Sequence, residues 1–313
     1  MNKILKNTVR NGDSPKLLYI MAPSYTGSTL LTYLLAMHPD IATIGELKAS
    51  AMGSVDTYTC SCGTLIRECG FWRQVSEEMA QRGLPFSFEN FGTHFRSKEY
   101  LCDRLLRAGI KGPLLEMLRH AGFTILPRCG KKRDRIVLQN QIIMEIVKAI
   151  QGGRVFLDGS KDPNRVAYFS SSGLWNIRVI YLIRDGRGTT NSYMRHYNVT
   201  MEIAAREWVH THRQCDRIKE KMGDDCLTMH YEDLCRNPDD VLQRIFQFVG
   251  IDTDSISTDF RSVEHHILGN AMRMTSTSAI RIDEKWKKIL TSDDLAVFKA
   301  IAGHLHTSYG YSL

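Results

Sequence analysis

The chain of 313 residues lacks several features that would assign it to other classes of protein. No apolar stretch approaches the ~18–20 uninterrupted residues of a membrane-spanning helix, and residues 1–16 hold no apolar signal core. A net charge of +7, from 41 Lys and Arg against 34 Asp and Glu, comes without the basic runs of nucleic-acid-binding proteins. The densest basic patch, residues 131–133, is predicted to be a solvated loop. These absences predict a cytoplasmic protein with no membrane span and no nucleic-acid partner, whose mild positive charge suits a small polyanionic ligand.

Cysteine is present eight times, but a cytoplasmic location predicts mostly reduced thiols rather than a disulfide framework. Cys60, Cys62 and Cys69 are the three that cluster in sequence. A structural zinc ion normally takes four ligands, so these three alone do not define a metal site. We therefore predict no bound metal, and leave open a zinc site completed by Cys102, Cys129 or a histidine.

Strand-like apolar segments alternate with helical patterns along the chain, which is typical of a parallel sheet covered by helices. The predicted strands are 17–22, 41–44, 154–158, 177–183 and 226–231. The predicted helices are 28–37, 139–151, 199–221, 239–249 and one starting near Ser292. Residues 48–138 lack strand alternation and are predicted to be a helical and loop insertion. The expected fold is thus a single α/β domain over residues 1–313, with a P-loop-like three-layer α/β/α arrangement and a central, mainly parallel sheet.

Residues 19–30, YIMAPSYTGSTL, are the most informative segment of the chain. An apolar strand ends there in a turn of small residues, and a helical pattern follows at once. Such a turn directs several backbone N–H groups and the positive end of a helix dipole at one anion. It resembles a P-loop, but Ala22 replaces the first glycine of the Walker pattern and Ser28 replaces its lysine. The ligand is therefore not expected to be a nucleoside triphosphate.

Two further strand ends carry polar residues that suit an anionic ligand. Lys161 follows the predicted strand 154–158, at the end of a sheet where open α/β folds bind ligands. Arg184 follows the strand 177–183, and Ser192 lies two helical turns further on. An arginine fork and a serine hydroxyl are suited to bind one phosphate between them.

Three blocks, at residues 19–46, 158–163 and 180–192, resemble sulfotransferases that use 3′-phosphoadenosine 5′-phosphosulfate (PAPS), in order and in spacing. The resemblance implies that the first loop binds the 5′-phosphosulfate of PAPS, and that Arg184 and Ser192 bind the 3′-phosphate of PAPS or of its product, 3′-phosphoadenosine 5′-phosphate (PAP). The implied loop residues are Tyr25, Thr26, Gly27, Ser28, Thr29 and Leu30. It also implies that the transfer needs no metal.

Other motifs are similar to the tyrosylprotein sulfotransferase branch of that family. His38-Pro39-Asp40 followed by Gly45-Glu46 implies that Glu46 is the catalytic base. Ser160-Lys161-Asp162-Pro163 implies that Lys161 stabilises the transition state and the leaving group. Tyr231 matches a tyrosine that lines the nucleotide, and Arg273 and Lys285 match a basic segment that contacts its phosphates. The stretch around Cys60, Cys62 and Cys69 also resembles one in bacterial relatives, which favours a shared structural element.

One position departs from the family pattern, because Tyr25 stands where an Arg or Lys often precedes the turn. This puts one cation of the sulfuryl site in doubt, although a tyrosine can still donate a hydrogen bond. A non-catalytic PAP-binding protein therefore stays open as an alternative. The P-loop resemblance also leaves open a P-loop kinase-like phosphotransferase, although Ser28 at the lysine position argues against it. The acceptor of a sulfotransferase would be a hydroxyl of a small molecule, sugar, lipid or peptide, held partly by the insertion. The oligomeric state is not predicted.

Overall fold

The computed structural model describes the chain over six stretches of sequence. They are residues 16–49, 52–107, 112–254, 256–269, 271–274 and 277–313. The prediction that residues 1–16 hold no apolar signal core falls almost wholly outside the described residues, because residues 1–15 are not among them. Within these stretches, no helix is both long enough and apolar enough to cross a membrane.

A five-stranded sheet forms the centre of the fold, with strand order β2-β3-β1-β4-β5 and every neighbouring pair parallel. The strands are β1 Lys16–Met21, β2 Ile41–Thr43, β3 Val155–Lys161, β4 Asn176–Ile183 and β5 Cys226–His230. Each predicted strand overlaps one of these five. The predicted α/β class with a parallel central sheet is confirmed.

Helices connect the strands and cover the sheet. They are α1 Ser28–Leu35, α2 Gly70–Gln81, α3 Tyr100–Arg107, α4 Pro113–Ile125, α5 Pro127–Gln151, α6 Pro163–Ser172, α7 Gly186–Tyr197, α8 Met201–Met222, α9 Tyr231–Arg236, α10 Pro238–Val249, α11 Trp286–Ile289 and α12 Ser292–Ser308. Two short 3₁₀ turns, Gly223–Asp225 and Ala271–Met274, lie between them. The predicted helix 28–37 corresponds to α1. The predicted helices 199–221 and 239–249 and the one starting near Ser292 correspond to α8, α10 and α12.

The sheet is buried on both faces, as the near-continuous apolar strands predict. In β1, Leu17, Tyr19 and Met21 pack into a core on one side, which also contains α5 and much of the insertion. Leu18 and Ile20 point to the opposite side and pack into a second core with α1 and α10. This alternation of side chains produces three layers, with the sheet in the middle.

Residues 48–138, the predicted helical and loop insertion, include helices α2, α3 and α4 and the first turns of α5, so the predicted end of the insertion lies inside a helix. Helix α5 begins at Pro127, well before the predicted start at residue 139. The first turns of α5 carry the basic patch at residues 131–133, which is helix and not the predicted solvated loop. The apolar periodicity that predicted the helix begins only in its second half, so its polar first half gave no such signal.

Two of the eight cysteines depart from the prediction of reduced thiols. Cys102 of α3 and Cys129 of α5 form a disulfide, with a Cα–Cα distance of 5.0 Å. This bond joins two helices of the insertion. The free cysteines are Cys60, Cys62, Cys69, Cys215, Cys226 and Cys235. Because Cys102 and Cys129 pair with each other, neither completes a metal site with the Cys60 cluster.

Parallel pairing brings the carboxyl ends of all five strands to one edge of the sheet. The chain leaves β1 towards β3 and β2 on one side, and later crosses to β4 and β5 on the other. Ligands bind open α/β sheets at such a switch point. The loops that follow β1, β3 and β4 therefore meet at the place where the sequence puts its candidate site residues.

Candidate active site

The loop between β1 and α1 has the geometry of an anion-binding turn. Gly27 adopts φ +90°, and a Cβ at this position would lie 2.4 Å from Cδ2 of Tyr231, so a glycine is needed for two reasons. Helix α1 begins at Ser28, and its first backbone N–H groups have no partner within the helix. They are available to an anion at this end of the helix.

The predicted loop residues differ in what their side chains can do. The Thr26 hydroxyl donates to the Pro23 carbonyl at 2.8 Å and so closes the turn. Ser28 and Thr29 are buried in the first turn of α1, and Leu30 packs into the second core. Leu30 therefore has only its backbone to offer a ligand.

Tyr25 is strained and lies against an aromatic wall. Its φ of +66° is unusual for a residue with a Cβ, and such strain is concentrated at functional sites. Its ring contacts those of Tyr193, His196 and Tyr197, with centroids 5.5–6.5 Å away. Burial is the main cause that raises the pKa of Tyr25 well above its usual value, and the neighbouring Tyr197 adds to it. The phenol is therefore a neutral hydrogen-bond donor and does not replace the missing cation.

Glu46 and Lys161 form an ion pair at the edge of the sheet. The Lys161 Nζ lies 2.5 Å from Glu46 Oε1, and both side chains are only about one-seventh exposed, at 15% and 13%. Tyr19 of β1 faces Asp158, and Met21 faces Lys161, so β3 contains one extra residue in this interval. This bulge, with Lys161 at φ +70°, turns the lysine towards Glu46.

A buried network that the sequence prediction missed positions this pair. Asp158 accepts hydrogen bonds from the Leu47 and Ser160 backbone N–H groups at 3.2 and 3.0 Å. Its other oxygen accepts from Arg165 Nη2 at 3.0 Å, and both side chains are fully buried. Because Leu47 follows Glu46 and Ser160 precedes Lys161, one carboxylate holds the two backbone segments together. Arg165 gave no sequence signal, since an arginine in a first helical turn is usually exposed.

Arg184 is buried at the end of β4 and has several contacts. Nη1 donates to the Tyr25 carbonyl at 2.9 Å, and Nη2 lies 3.3 Å from the Asp283 carboxylate. The guanidinium also stacks over the Tyr231 ring at 4.6 Å. Of the predicted residues, Arg184 thus contacts both Tyr25 and Tyr231.

Ser192 and Arg184 both approach Gly188 of α7. The Ser192 hydroxyl donates to the Gly188 carbonyl at 3.0 Å. A Cβ on Gly188 would lie 3.2 Å from Arg184 Nη2, so the absence of a side chain lets the guanidinium approach α7. The two residues predicted to bind one phosphate therefore flank the same turn of helix.

Arg273 and Lys285 have different surroundings. The Arg273 guanidinium donates to the carbonyls of Gly269 and Thr59 at 2.9 and 3.1 Å, and stacks over Tyr58 at 4.1 Å. Lys285 has an exposed side chain, and its backbone N–H donates to the Asp283 carboxylate at 3.2 Å.

A cavity of about 1490 Å³ opens beside the Glu46–Lys161 pair. Of the predicted site residues, Tyr25, Glu46, Lys161 and Arg273 line it. The aromatic and cationic side chains that also line it come from α7, α8 and the insertion, and include Tyr193, His196, Trp208, Arg96, Arg104 and Arg107. The other predicted site residues are not among those that line it.

His94 is a cavity residue that sequence reasoning did not single out. Burial, together with the nearby charges of Lys48 and Arg165, lowers the pKa of its imidazole to about 3. The ring is therefore neutral at physiological pH. Its position could not be foreseen, because the loop that carries it has no regular secondary structure.

These features describe an α/β protein in which a turn with the geometry of an anion site lies beside a paired carboxylate and lysine. Comparison with known families gives the class a name. The pattern of the "Sulfotransferase family" matches residues 18–255. The chain belongs to this family and is a sulfotransferase, as its motifs indicated.

Two solved structures have a similar fold. The sulfotransferase domain of the Synechococcus PCC 7002 olefin synthase superimposes with a TM-score of 0.57 at 20% identity, covering 97% of this chain and 98% of that domain. The sulfotransferase domain from the curacin biosynthetic pathway gives a TM-score of 0.54 at 16% identity, covering 96% and 100%. At these identities the likeness shows the shared fold. A search of the curated proteins finds no match.

Proposed function

We propose that the protein transfers the sulfuryl group of PAPS to a hydroxyl acceptor bound in the cavity. The observation that carries this proposal is the Glu46–Lys161 pair, which borders the cavity next to the anion-binding loop. A carboxylate and a lysine are the two groups that the reaction needs, one to accept a proton and one to stabilise departing negative charge.

In the proposed reaction, the acceptor oxygen attacks sulfur while Glu46 accepts its proton. The new S–O bond forms as the bond between sulfur and the bridging oxygen breaks, and PAP departs with the electron pair. Lys161 and the backbone N–H groups at the start of α1 stabilise the charge that develops on the bridging and phosphate oxygens. Each such donor typically contributes ~2.7–4 kcal/mol to transition-state stabilisation.

We assign the 3′-phosphate of the nucleotide to Arg184 and Ser192, with Tyr231 along the nucleotide. Support comes from their arrangement around Gly188 and from the contact between Arg184 and the loop at Tyr25. A phosphate bound here competes with Asp283 for the Arg184 guanidinium. Arg273 and Lys285 remain proposed phosphate contacts, and of these Arg273 borders the cavity.

The cavity lining suggests the kind of acceptor. Tyr193, His196 and Trp208 offer aromatic faces, and Arg96 and Arg104 of the insertion offer positive charge. We propose a small-molecule acceptor with an aromatic ring or an acidic group near its hydroxyl, a phenol being the simplest case. Sugar, lipid and peptide hydroxyls are the other acceptors to test. A cytoplasmic location remains a prediction from the sequence.

The test measures transfer of radiolabelled sulfate from PAPS to a panel of such acceptors. Glu46→Gln is expected to lower kcat roughly 10²- to 10⁴-fold while PAP binding is retained, because the carboxylate acts on the acceptor. The matched control is Glu202→Gln, which alters an exposed carboxylate paired with Arg206 on α8.

Three outcomes would contradict this function in distinct ways. Full activity of Glu46→Gln would show that Glu46 is not the catalytic base. PAP binding without transfer to any acceptor would favour a non-catalytic nucleotide-binding protein. A rise in melting temperature with ATP–Mg but none with PAP would favour a kinase-like phosphotransferase.

A further inference from the structure

Four potential metal ligands converge where the insertion meets the segment around His266. The Sγ atoms of Cys60, Cys62 and Cys69 and a ring nitrogen of His266 all lie within 4.8 Å of one another. Cys60 and Cys69 are buried, and the other two are half-buried. We propose that these four residues bind one zinc ion in a closed, structural Cys₃His site.

The distances between the ligand atoms fit a tetrahedral ion. Zn–S bonds of about 2.3 Å and Zn–N bonds of about 2.0 Å place sulfurs about 3.8 Å apart, and sulfur and nitrogen about 3.5 Å apart. In the structure, the sulfurs of Cys62 and Cys69 are 3.7 Å apart. The Nδ1 atom of His266 lies 3.7 Å from Cys60 Sγ and 3.5 Å from Cys69 Sγ.

His266 has the outer contacts that are typical of a metal ligand. Its other nitrogen, Nε2, lies 3.3 Å from the Glu264 carboxylate. A proton on Nε2 leaves the lone pair on Nδ1, which faces the three thiols. The ring also stacks on Phe71, with centroids 4.5 Å apart and planes within 3° of parallel. The orientation of the imidazole is therefore fixed from two directions.

The local backbone presents the three cysteines together. The Cys60 N–H donates to the Thr64 carbonyl at 2.8 Å, and the Gly63 N–H donates to the Cys60 carbonyl at 2.9 Å, with Gly63 at φ +90°. This tight turn places the thiols of Cys60 and Cys62 on one side. Cys69, at the start of α2, supplies the third thiol from the same side.

The ion would join the insertion to the segment that leads to Arg273. Ser61 already links these parts, because its hydroxyl donates to the His265 carbonyl at 2.5 Å and accepts from the Ile267 N–H at 2.7 Å. The next residue, Leu268, donates its N–H to the Ile44 carbonyl at 2.7 Å, close to Glu46. Four protein ligands leave no open position, so the site is structural. The inference does not depend on the proposed sulfuryl transfer.

A disulfide between Cys62 and Cys69 is the competing explanation of their 3.7 Å separation. It accounts for two of the four residues. It gives no reason for Cys60 and the Nδ1 atom of His266 to face the same point, whereas a tetrahedral ion accounts for all four.

The first experiment measures metal content in the full chain, purified under reducing conditions without chelator. Mass spectrometry of the elements is expected to find about one zinc ion per chain. Cys60→Ser, Cys69→Ser and His266→Ala are each expected to reduce the retained zinc roughly 10-fold or more, because each removes a ligand. Cys226→Ser, which changes a half-buried free thiol of β5, is the matched control and should keep its zinc.

A second experiment uses only the wild-type protein, in case the variants fail to fold. An organomercurial should release the zinc in step with the loss of three thiols. Replacement of zinc by cobalt should give thiolate-to-cobalt charge-transfer bands and the visible bands of a tetrahedral site. The proposal is overturned if the wild-type protein contains no zinc and takes up no cobalt, if its mass shows a Cys62–Cys69 disulfide under these conditions, or if folded ligand variants retain full zinc.

Discussion

At the scale of single residues, Arg184 connects the parts of the candidate nucleotide site. Its guanidinium contacts the loop at Tyr25, the ring of Tyr231 and the carboxylate of Asp283. Since Asp283 is about two-fifths exposed while Arg184 is buried, the carboxylate is the partner that a bound phosphate can most easily replace. The arginine therefore has both a structural contact and an exchangeable one.

Two substitutions separate these contacts. Arg184→Met is expected to weaken PAP binding about 10- to 100-fold, because charge-assisted hydrogen bonds contribute about 1.5–3 kcal/mol. Asp283→Asn is expected to tighten it about threefold or more, because the competing charge is removed. Calorimetric titration measures both affinities.

The ligand itself provides the control for this pair of variants. Adenosine 5′-phosphosulfate lacks the 3′-phosphate, so Asp283→Asn should leave its affinity unchanged. Unaltered PAP affinity in Arg184→Met would place the 3′-phosphate elsewhere in the protein.

At the scale of secondary structure, the Asp158–Arg165 pair joins the end of β3 to α6 inside the core. Asp158→Asn keeps the shape of the side chain but leaves the Arg165 charge buried without its partner. We expect this to lower the free energy of unfolding by about 3–5 kcal/mol, measured by urea denaturation. The double variant Asp158→Asn/Arg165→Met should cost less than the sum of the single changes, because no unpaired charge remains.

An exposed pair supplies the comparison for this prediction. Asp225 contacts Arg178 of β4 near the surface, so Asp225→Asn should change stability by at most about 1 kcal/mol. Equal losses for Asp158→Asn and Asp225→Asn would show that the buried pair has no special role in holding the strand end.

The elements also explain which parts of the site the sequence could predict. Glu46, Lys161 and Arg184 follow apolar strands, and parallel strands bring such ends together at one edge. Arg165 was missed because its contacts depend on packing between segments distant in sequence. For the same reason the sequence left open which histidine lies beside the three clustered cysteines, and the structure places His266 there. The early start of α5 was missed because its first turns are polar and lack apolar periodicity.

At the scale of the whole molecule, a cluster of aromatic rings packs β4, α8 and the end of α12 against one another. His212 of α8 is completely buried there, with its Nδ1 2.5 Å from the Tyr181 hydroxyl and its ring 4.9 Å from that of Tyr309. Burial is the main cause that lowers the pKa of His212 to about 3, and the nearby His306 adds to it. The folded protein therefore holds this imidazole neutral under conditions in which the unfolded chain protonates it.

Acid should consequently weaken the fold through His212. Between the unfolded pKa of about 6.5 and the folded value of about 3, the unfolded chain binds more protons, so stability falls as pH falls. Between pH 5 and 4, unfolding free energy should drop about 1.4 kcal/mol per pH unit more steeply in the wild type than in His212→Gln, measured by urea denaturation at each pH. His304→Gln, an exposed change on α12, should follow the wild-type slope. Parallel curves for the wild type and His212→Gln would mean that the folded protein accommodates a charged His212.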